Sequence, residues 1–267
     1  MSAAARARLG AVSYLNSRPL VWGLERSPRF DLRYDVPSRC ADLLHEGAID
    51  VGLIPSIEYL RGVADTRYWI VPDISLASRG PVASVALYTS RPIADVRSIA
   101  MDVSSRTSVS LVRILCARRF GIAPTAEPQS PDLPAMLARC DAALVIGDNA
   151  LFFDHESKGL TKIDLGDEWL RLTGLPFVYA FWAGRSGALT ARHVDELQRA
   201  RDGGVARAAE IASDLYADAP RRTIAERYLR DNMKYTLGDD ERAGLERFYR
   251  YAAEAGCVRD AGRLRFY

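Results

Sequence analysis

Residues 30–54 read FDLRYDVPSRCADLLHEGAIDVGLI, and this stretch sets the architecture. Phe30–Val36 has the composition of a strand. Ser38–Glu46 is helical in pattern, with Cys40, Leu43 and Leu44 on one face. Gly47 follows where a helix end favours left-handed backbone. Ile49–Ile54 is an apolar run of buried-strand type. Upstream, Arg8–Val12 reads as another strand and Arg18–Glu25 as a short helix with Pro19 near its first turn. The order is β-α-β-α-β, with connections short enough for a parallel sheet.

Downstream the alternation starts again. Ser84–Thr89 and Ile99–Val103 are apolar strands. Thr107–Arg119 is a helix with Val109, Val112, Leu115 and Cys116 on one face, ended by Gly121. Asp132–Arg139 is a Pro-started helix, and the strand Ala142–Ile146 runs into Gly147-Asp148-Asn149. Val178–Ala183 is a strand suited to a return crossover. After Gly187 the chain turns helical: Ala191–Arg201 and Val205–Tyr216 flank Asp202-Gly203-Gly204, and Arg222–Asn232 follows Pro220. Asp240–Ala255 has Leu245, Phe248, Tyr249 and Ala252 on one stripe, with Asp239 or Asp240 as cap and Gly256 as stop. The Tyr and Arg residues of this tail read as packing and solvated surface. The class is α/β with a helical C-terminal tail. The chain is expected to cross twice, so that residues 1–88 and 185–267 form one lobe and 89–184 the other.

Composition narrows the function. The 267 residues are 48% apolar and 26% charged, enough for a sizeable core. Net charge is +2, which makes no electrostatic case for nucleic acid. Lys158, Lys162 and Lys234 are the only lysines among 36 basic residues. The N-terminal Met-Ser-Ala-Ala-Ala-Arg-Ala-Arg leads into no apolar leader core, and no window is long and apolar enough to span a membrane. A cytoplasmic protein is expected. Cys40, Cys116, Cys140 and Cys257 are scattered and read as reduced, buried thiols. His45, His155 and His193 lack ligand spacing, so no metal is expected. G-x-S-x-G, P-loop, H-E-x-x-H and G-x-G-x-x-G patterns are absent. Hydride transfer, phosphoryl transfer and metalloprotease chemistry therefore lose their usual support.

What remains is polar sequence at strand ends, where open α/β sheets bind ligands. Ser13-Tyr14-Leu15-Asn16-Ser17-Arg18 follows the first strand and offers hydroxyls, an amide and a guanidinium. The same residues suit a loop with a capping Ser17 and a solvated Arg18. Ser84 stands where a loop becomes a buried strand, a common place for an ordinary serine. Ser104-Ser105-Arg106-Thr107-Ser108 opens the second unit's main helix with more hydroxyls than one cap needs, which suits an anion cradle. Asp148 and Asn149 lie in a turn that serves equally as a helix cap or a pocket wall. Four such segments, drawn from both units, suggest one cleft taking a small anion, most simply a carboxylate.

These segments also carry a resemblance. Ser-Tyr-Leu-Asn-Ser-Arg-Pro-Leu (13–20), Val-Pro-Ser-Arg-Cys-Ala-Asp-Leu-Leu (36–44), Asp-Val-Gly-Leu-Ile-Pro-Ser-Ile-Glu-Tyr (50–59) and Ser-Val-Ala-Leu-Tyr-Thr (84–89) resemble the chorismate dehydratases of the futalosine route to menaquinone. So do Ser-Ser-Arg-Thr-Ser (104–108), Ile-Gly-Asp-Asn-Ala-Leu (146–151) and Leu-Pro-Phe-Val-Tyr-Ala-Phe-Trp (175–182). The matches run in order from Gly10 to Trp182.

The resemblance implies a two-lobed type II periplasmic-binding-protein-like fold used inside the cytoplasm. It implies dehydration of chorismate to 3-[(1-carboxyvinyl)oxy]benzoate without cofactor. It places the functional Asn on Asn16 and the functional Ser on Ser84. Ser13, Arg18, Ser105, Arg106, Thr107, Ser108, Asp148 and Asn149 are expected to bind substrate. The four polar loops hold no His, Lys or Glu, and Asp148 is their one carboxylate, so the substrate's own enolpyruvyl carboxylate is the expected base. Two other readings remain open. One is a non-catalytic binding module for a small carboxylate. The other is the related dihydroxynaphthoate-forming enzyme of the same pathway. The sequence leaves the oligomeric state undetermined.

Overall fold

In a computed structural model, residues 6–62 and 68–267 are described. Met1–Ala5, the first part of the segment read for a leader, lies outside them.

The first sheet begins as the pattern predicts. Strand β1 (Ala7–Val12) pairs in parallel with β2 (Phe30–Asp35) and, after helix α1 (Pro37–Glu46), with β3 (Val51–Pro55). Gly47 ends α1 at φ +76°. Helix α2 (Ser56–Gly62) and the short strands β4 (Tyr68–Ile70) and β5 (Leu76–Ser78) follow. The second sheet takes β6 (Val85–Thr89), β7 (Ser98–Asp102), helix α3 (Arg106–Leu115), β8 (Thr125–Gln129), helix α4 (Leu133–Leu137), β9 (Ala142–Ile146), helix α5 (Gly147–Leu151), β10 (Thr161–Asp164) and helix α6 (Leu165–Thr173). Strand β11 (Phe177–Arg185) then returns to the first sheet. Helices α7 (Ala191–Val205), α8 (Ala208–Leu215), α9 (Ala219–Arg227) and α10 (Asp239–Glu254) complete the chain.

The first sheet runs β2-β1-β3-β11-β4, with β5 also on β11, and β11 is antiparallel to all its neighbours. The second runs β10-β6-β9-β7-β8, with β7 parallel to β8 and β9 and β6 antiparallel to β9 and β10. The chain changes sheet between β5 and β6 and again between α6 and β11. The two strands expected to bracket the second unit thus belong to different sheets. Among the described residues no helix is long and apolar enough to cross a membrane.

Several local expectations need correction. The helix expected at Arg18–Glu25 is a 3-10 segment, Leu15–Val21, followed by a second at Leu24–Arg26. Pro19 inside the first lacks an N–H, and the Ser17 hydroxyl bonds the Val12 and Tyr14 carbonyls, which favours the tighter turn. Helix α3 gives way at Cys116–Phe120 to a wider π turn that ends at Gly121. Gly203 and Gly204 do not separate two helices: they lie within α7. A Cβ on Gly204 would sit 2.2 Å from the Pro19 carbonyl oxygen, so close packing rather than a turn explains that glycine. The cap of α10 is Gly238, whose N–H donates to Glu241 Oε2 at 3.0 Å, rather than Asp239 or Asp240.

The apolar stripe of α10 is buried as expected, and Phe248 packs edge-on against Trp169 and Phe177. Tyr249 donates to the Ser56 carbonyl at 2.6 Å, tying the tail to the start of α2. All four cysteines are free thiols; Cys257 is only half-buried.

Candidate active site

Four segments converge between the two sheets. The turn after β1 contributes Tyr14 and Asn16, and the entry to β6 contributes Val82 and Ser84. The start of α3 contributes Ser105, Thr107 and Ser108, and the β9–α5 junction Ile146 and Gly147. Tyr179 and Ala180 of β11 complete much of the wall around a cavity of about 50 Å³. Gly147 has φ +63°, and a Cβ there would lie 2.9 Å from the Tyr14 ring. Glycine alone lets this turn lie against the aromatic wall.

Asn16 and Ser84, expected from separate motifs, share one partner. Ser84 Oγ lies 2.7 Å from the Tyr228 hydroxyl, and Asn16 is within hydrogen-bonding reach of the same hydroxyl. Asn16 Oδ1 is buried without a protein partner. Tyr228 begins the π turn after α9 and is 2% exposed. Burial pushes its phenol well up, so it stays protonated and can donate. Tyr228 packs in the interior, as the tail tyrosines were read, and in addition shares its hydroxyl with Ser84. A tyrosine on the buried face of a helical segment gives no sequence signal of a shared hydroxyl. Tyr179, also missed, holds its hydroxyl 3.1 Å from Ser78 Oγ.

The opposite wall is the N-terminus of α3. Ser105 is its cap residue but makes no side-chain cap bond. Thr107 Oγ1 accepts from the Ile57 N–H at 3.2 Å and lies 3.4 Å from Ser56 Oγ, whose own proton goes to the Val178 carbonyl at 2.8 Å. Ser105, Thr107 and Ser108 are all buried. Ser104 turns away: its N–H and hydroxyl donate to Asp102 Oδ1 at 2.8 and 2.6 Å. Burial pushes the Asp102 carboxyl up, against the pull of those two bonds.

The other expected binding residues lie outside the cavity wall. Arg106 reaches Asp42 at 2.7 Å and Glu58 at 3.0 Å, pinning α3 to helices α1 and α2. Glu58 is 2% exposed; burial pushes it up, but His45, Arg61 and Arg106 outweigh this and bring it down to about 2. Arg18 stacks over the Tyr34 ring at 4.8 Å and donates to the Ser13 carbonyl at 3.4 Å. Ser13 extends the β1–β2 pairing, its N–H donating to the Asp35 carbonyl at 2.9 Å. Asp148 Oδ1 accepts from the Leu15 N–H at 3.0 Å, bridging the two sheets. Burial raises the Asp148 carboxyl, with the Leu15 bond and Arg18 pulling it back. Asn149 is exposed.

The walls therefore present hydroxyls, an amide and helix N–H groups to any occupant. Among the described residues that line the cavity, tyrosine is the only titratable type. Such a lining can bind and polarise an anion, but it supplies no carboxylate, imidazole or amine to take a proton.

Comparison with known proteins follows the same direction. A family described as menaquinone biosynthesis matches residues 7–254. A curated chorismate dehydratase of Thermus thermophilus is 29% identical over 259 residues, covering 90% of this chain and 93% of that protein. A solved protein of Archaeoglobus fulgidus superposes with a TM-score of 0.74 at 18% identity, covering 95% of this chain and 98% of that one. A Candida albicans gene product described as having the generic periplasmic binding protein fold gives 0.66 at 11% identity, over 95% and 91% of the two chains. At these identities the structural likeness speaks for the fold, which is periplasmic-binding-protein-like.

Proposed function

Since the chain belongs to the menaquinone-biosynthesis family, we propose that it dehydrates chorismate to 3-[(1-carboxyvinyl)oxy]benzoate and water. The observation that carries this reading is the cavity itself, whose donors meet in the Asn16–Ser84–Tyr228 cluster and whose described lining holds no carboxylate, His or Lys. The reaction removes the hydrogen from the ring carbon bearing the enolpyruvyl ether and the hydroxyl from its neighbour. The developing carbanion is conjugated with the ring carboxylate through the adjacent double bond, and loss of hydroxide makes the ring aromatic. A lining without a base suits a substrate that brings one, and the enolpyruvyl carboxylate is placed on the substrate to take that proton. Asn16 and Ser84 would orient it and stabilise developing charge. No cofactor enters this scheme.

Ser105, Thr107 and Ser108 would hold one substrate carboxylate, helped by the α3 N–H groups. Ser13, Arg18, Arg106 and Asp148 take supporting places, because their contacts lie behind the wall, and the exposed Asn149 stands outside it. The reading treats the sheets as two lobes, residues 1–88 with 185–267 and 89–184, with the crossings drawn back to the segments before β6 and before β11. A space of about 50 Å³ holds a water or two. Chorismate would therefore enter with the lobes parted. The reading includes a cytoplasmic site of action, which a biosynthetic family supports.

The test is incubation of the protein with chorismate, with chorismate lacking the side-chain carboxylate, and with the precursor of the dihydroxynaphthoate-forming step. An aromatic ether product from chorismate alone is the expected result. Equal turnover of the analogue would remove the substrate-assisted base. Turnover of the later precursor alone, or binding of chorismate without product, would overturn the assignment in favour of the sister enzyme or a binding module.

A further inference from the structure

Ala83, the residue immediately before Ser84, has φ +64°. That is left-handed backbone, which a residue with a Cβ adopts only when its surroundings hold it there. Two side chains of β10 do so. The Ala83 N–H donates to Asp164 Oδ2 at 2.6 Å, and the Val82 N–H donates to Asp164 Oδ1 at 3.0 Å. The Ala83 carbonyl accepts from Lys162 Nζ at 2.6 Å. Both sides of the strained residue are thus gripped by charged groups.

Lys162 and Asp164 are two residues apart on one strand, so they emerge on the same side of it. That strand pairs with β6 in a register that sets Asp164 opposite Ala86 and Lys162 opposite Tyr88, just beyond Ser84. Neither side chain lines the cavity. Sheet pairing uses only their backbones. Lys162 is half-buried, and its nitrogen also reaches the Ala150 carbonyl at 3.3 Å. Taking an ammonium and a carboxylate partly out of water is costly without full pairing. Here the pairing goes to the backbone next to Ser84. In addition, Asp164 caps α6 by accepting from the Gly166 and Asp167 N–H groups at 2.9 and 3.1 Å.

We propose that Lys162 and Asp164 are positioning residues: they lock Ala83 in its left-handed conformation and thereby aim Ser84 Oγ at Tyr228 and the cavity. The inference rests on the reading of Ser84 as a catalytic group of a chorismate dehydratase. Relaxation of Ala83 toward ordinary backbone would swing the following side chain away. Glycine adopts left-handed backbone without strain, so it offers a specific rescue.

The experiment measures kcat and KM with chorismate, alongside thermal melting, for wild type, Asp164→Asn, Lys162→Met, Ala83→Gly and Asp164→Asn with Ala83→Gly. Displacing a reacting group by about 1 Å can cost about a hundredfold, so each β10 variant should lose kcat on that scale with KM little changed. Ala83→Gly alone should stay near wild type, and in the Asp164→Asn background it should restore much of the lost kcat. Lys162→Met leaves the α6 cap intact and decides the matter if Asp164→Asn does not fold. Folded β10 variants with wild-type kcat would overturn the inference while leaving the dehydratase reading intact. So would a loss that glycine does not relieve, which marks a merely structural role. An inactive wild type instead removes the dehydratase reading, and the positioning claim falls with it.

Discussion

The two walls of the cavity are both rich in hydroxyls but are built differently. On one side Asn16, Ser84 and Tyr228 come from three distant parts of the chain, and Ser84 bonds to the Tyr228 hydroxyl within reach of Asn16. Their geometry is set by a neutral hydrogen bond and by the left-handed backbone at Ala83, which Lys162 and Asp164 grip. On the other side Ser105, Thr107 and Ser108 are consecutive or nearly so on one helix start, and their placement comes from an ionic anchor, Arg106 on Asp42 and Glu58. On the proposed function, the first wall would act on charge as it develops. The second, on the same reading, would hold charge already present. Residue type alone does not separate these roles; the partners of each hydroxyl do.

Removing donors from the first wall should have the largest effect. Asn16→Ala and Ser84→Ala should each lower turnover by about 10²–10³, or about 2.7–4 kcal/mol of transition-state stabilisation. Steady-state kinetics on folded protein checks this, and wild-type turnover in Asn16→Ala would erase the proposed contrast between the walls. Asn16→Ala is the cleaner variant. Ser84→Ala also leaves the buried Tyr228 hydroxyl short of a partner, at a cost of about 1–3 kcal/mol in stability.

Acid should weaken the anchor of the second wall. Glu58 is held down at about 2 from an ordinary value of 4.5, so its stabilising contribution is complete above pH 4.5 and is lost as pH falls toward 2. A shift of that size corresponds to about 3 kcal/mol. Urea unfolding of wild type and Glu58→Gln across this window should show a steeper acid loss in wild type. Parallel curves would mean that Glu58 is not the anchor.

The smallest effect is expected at the second wall's own hydroxyls. Ser108→Ala should weaken binding of a dianionic ligand about tenfold, as befits one hydrogen bond to a charged group. Thr107→Ala should do the same and also strand the Ile57 N–H. Titration calorimetry with chorismate reads this directly. If the Ser108→Ala affinity equals wild type, the hydroxyls are an over-furnished helix start.

Elements with a clear apolar pattern were legible in the sequence. The α1 stripe ending at Gly47 and the α10 stripe of Leu245, Phe248, Tyr249 and Ala252 show it as helical periodicity, and β3, β6 and β9, buried at every position, as unbroken apolar runs. The two edge strands of the second sheet were not. Thr125–Gln129 contains Pro128 and is largely exposed, and Thr161–Asp164 has one exposed and three half-buried positions, so neither carries an apolar signature. Four site segments could be picked out because hydroxyls and donors cluster at strand ends, a local feature.

The two rounds of strand and helix, the helical tail and the donor-rich loops can be read from the residues alone, because each depends on neighbours within one or two turns of chain. Only the tertiary structure decided which donors meet. Tyr228 reaches Ser84 across 144 positions, Arg106 turns from the cavity toward Glu58 across 48, and Asp164 grips Ala83 across 81. Such partnerships arise because a buried polar group must find a mate wherever packing leaves one, and spacing along the chain does not encode which one it will be.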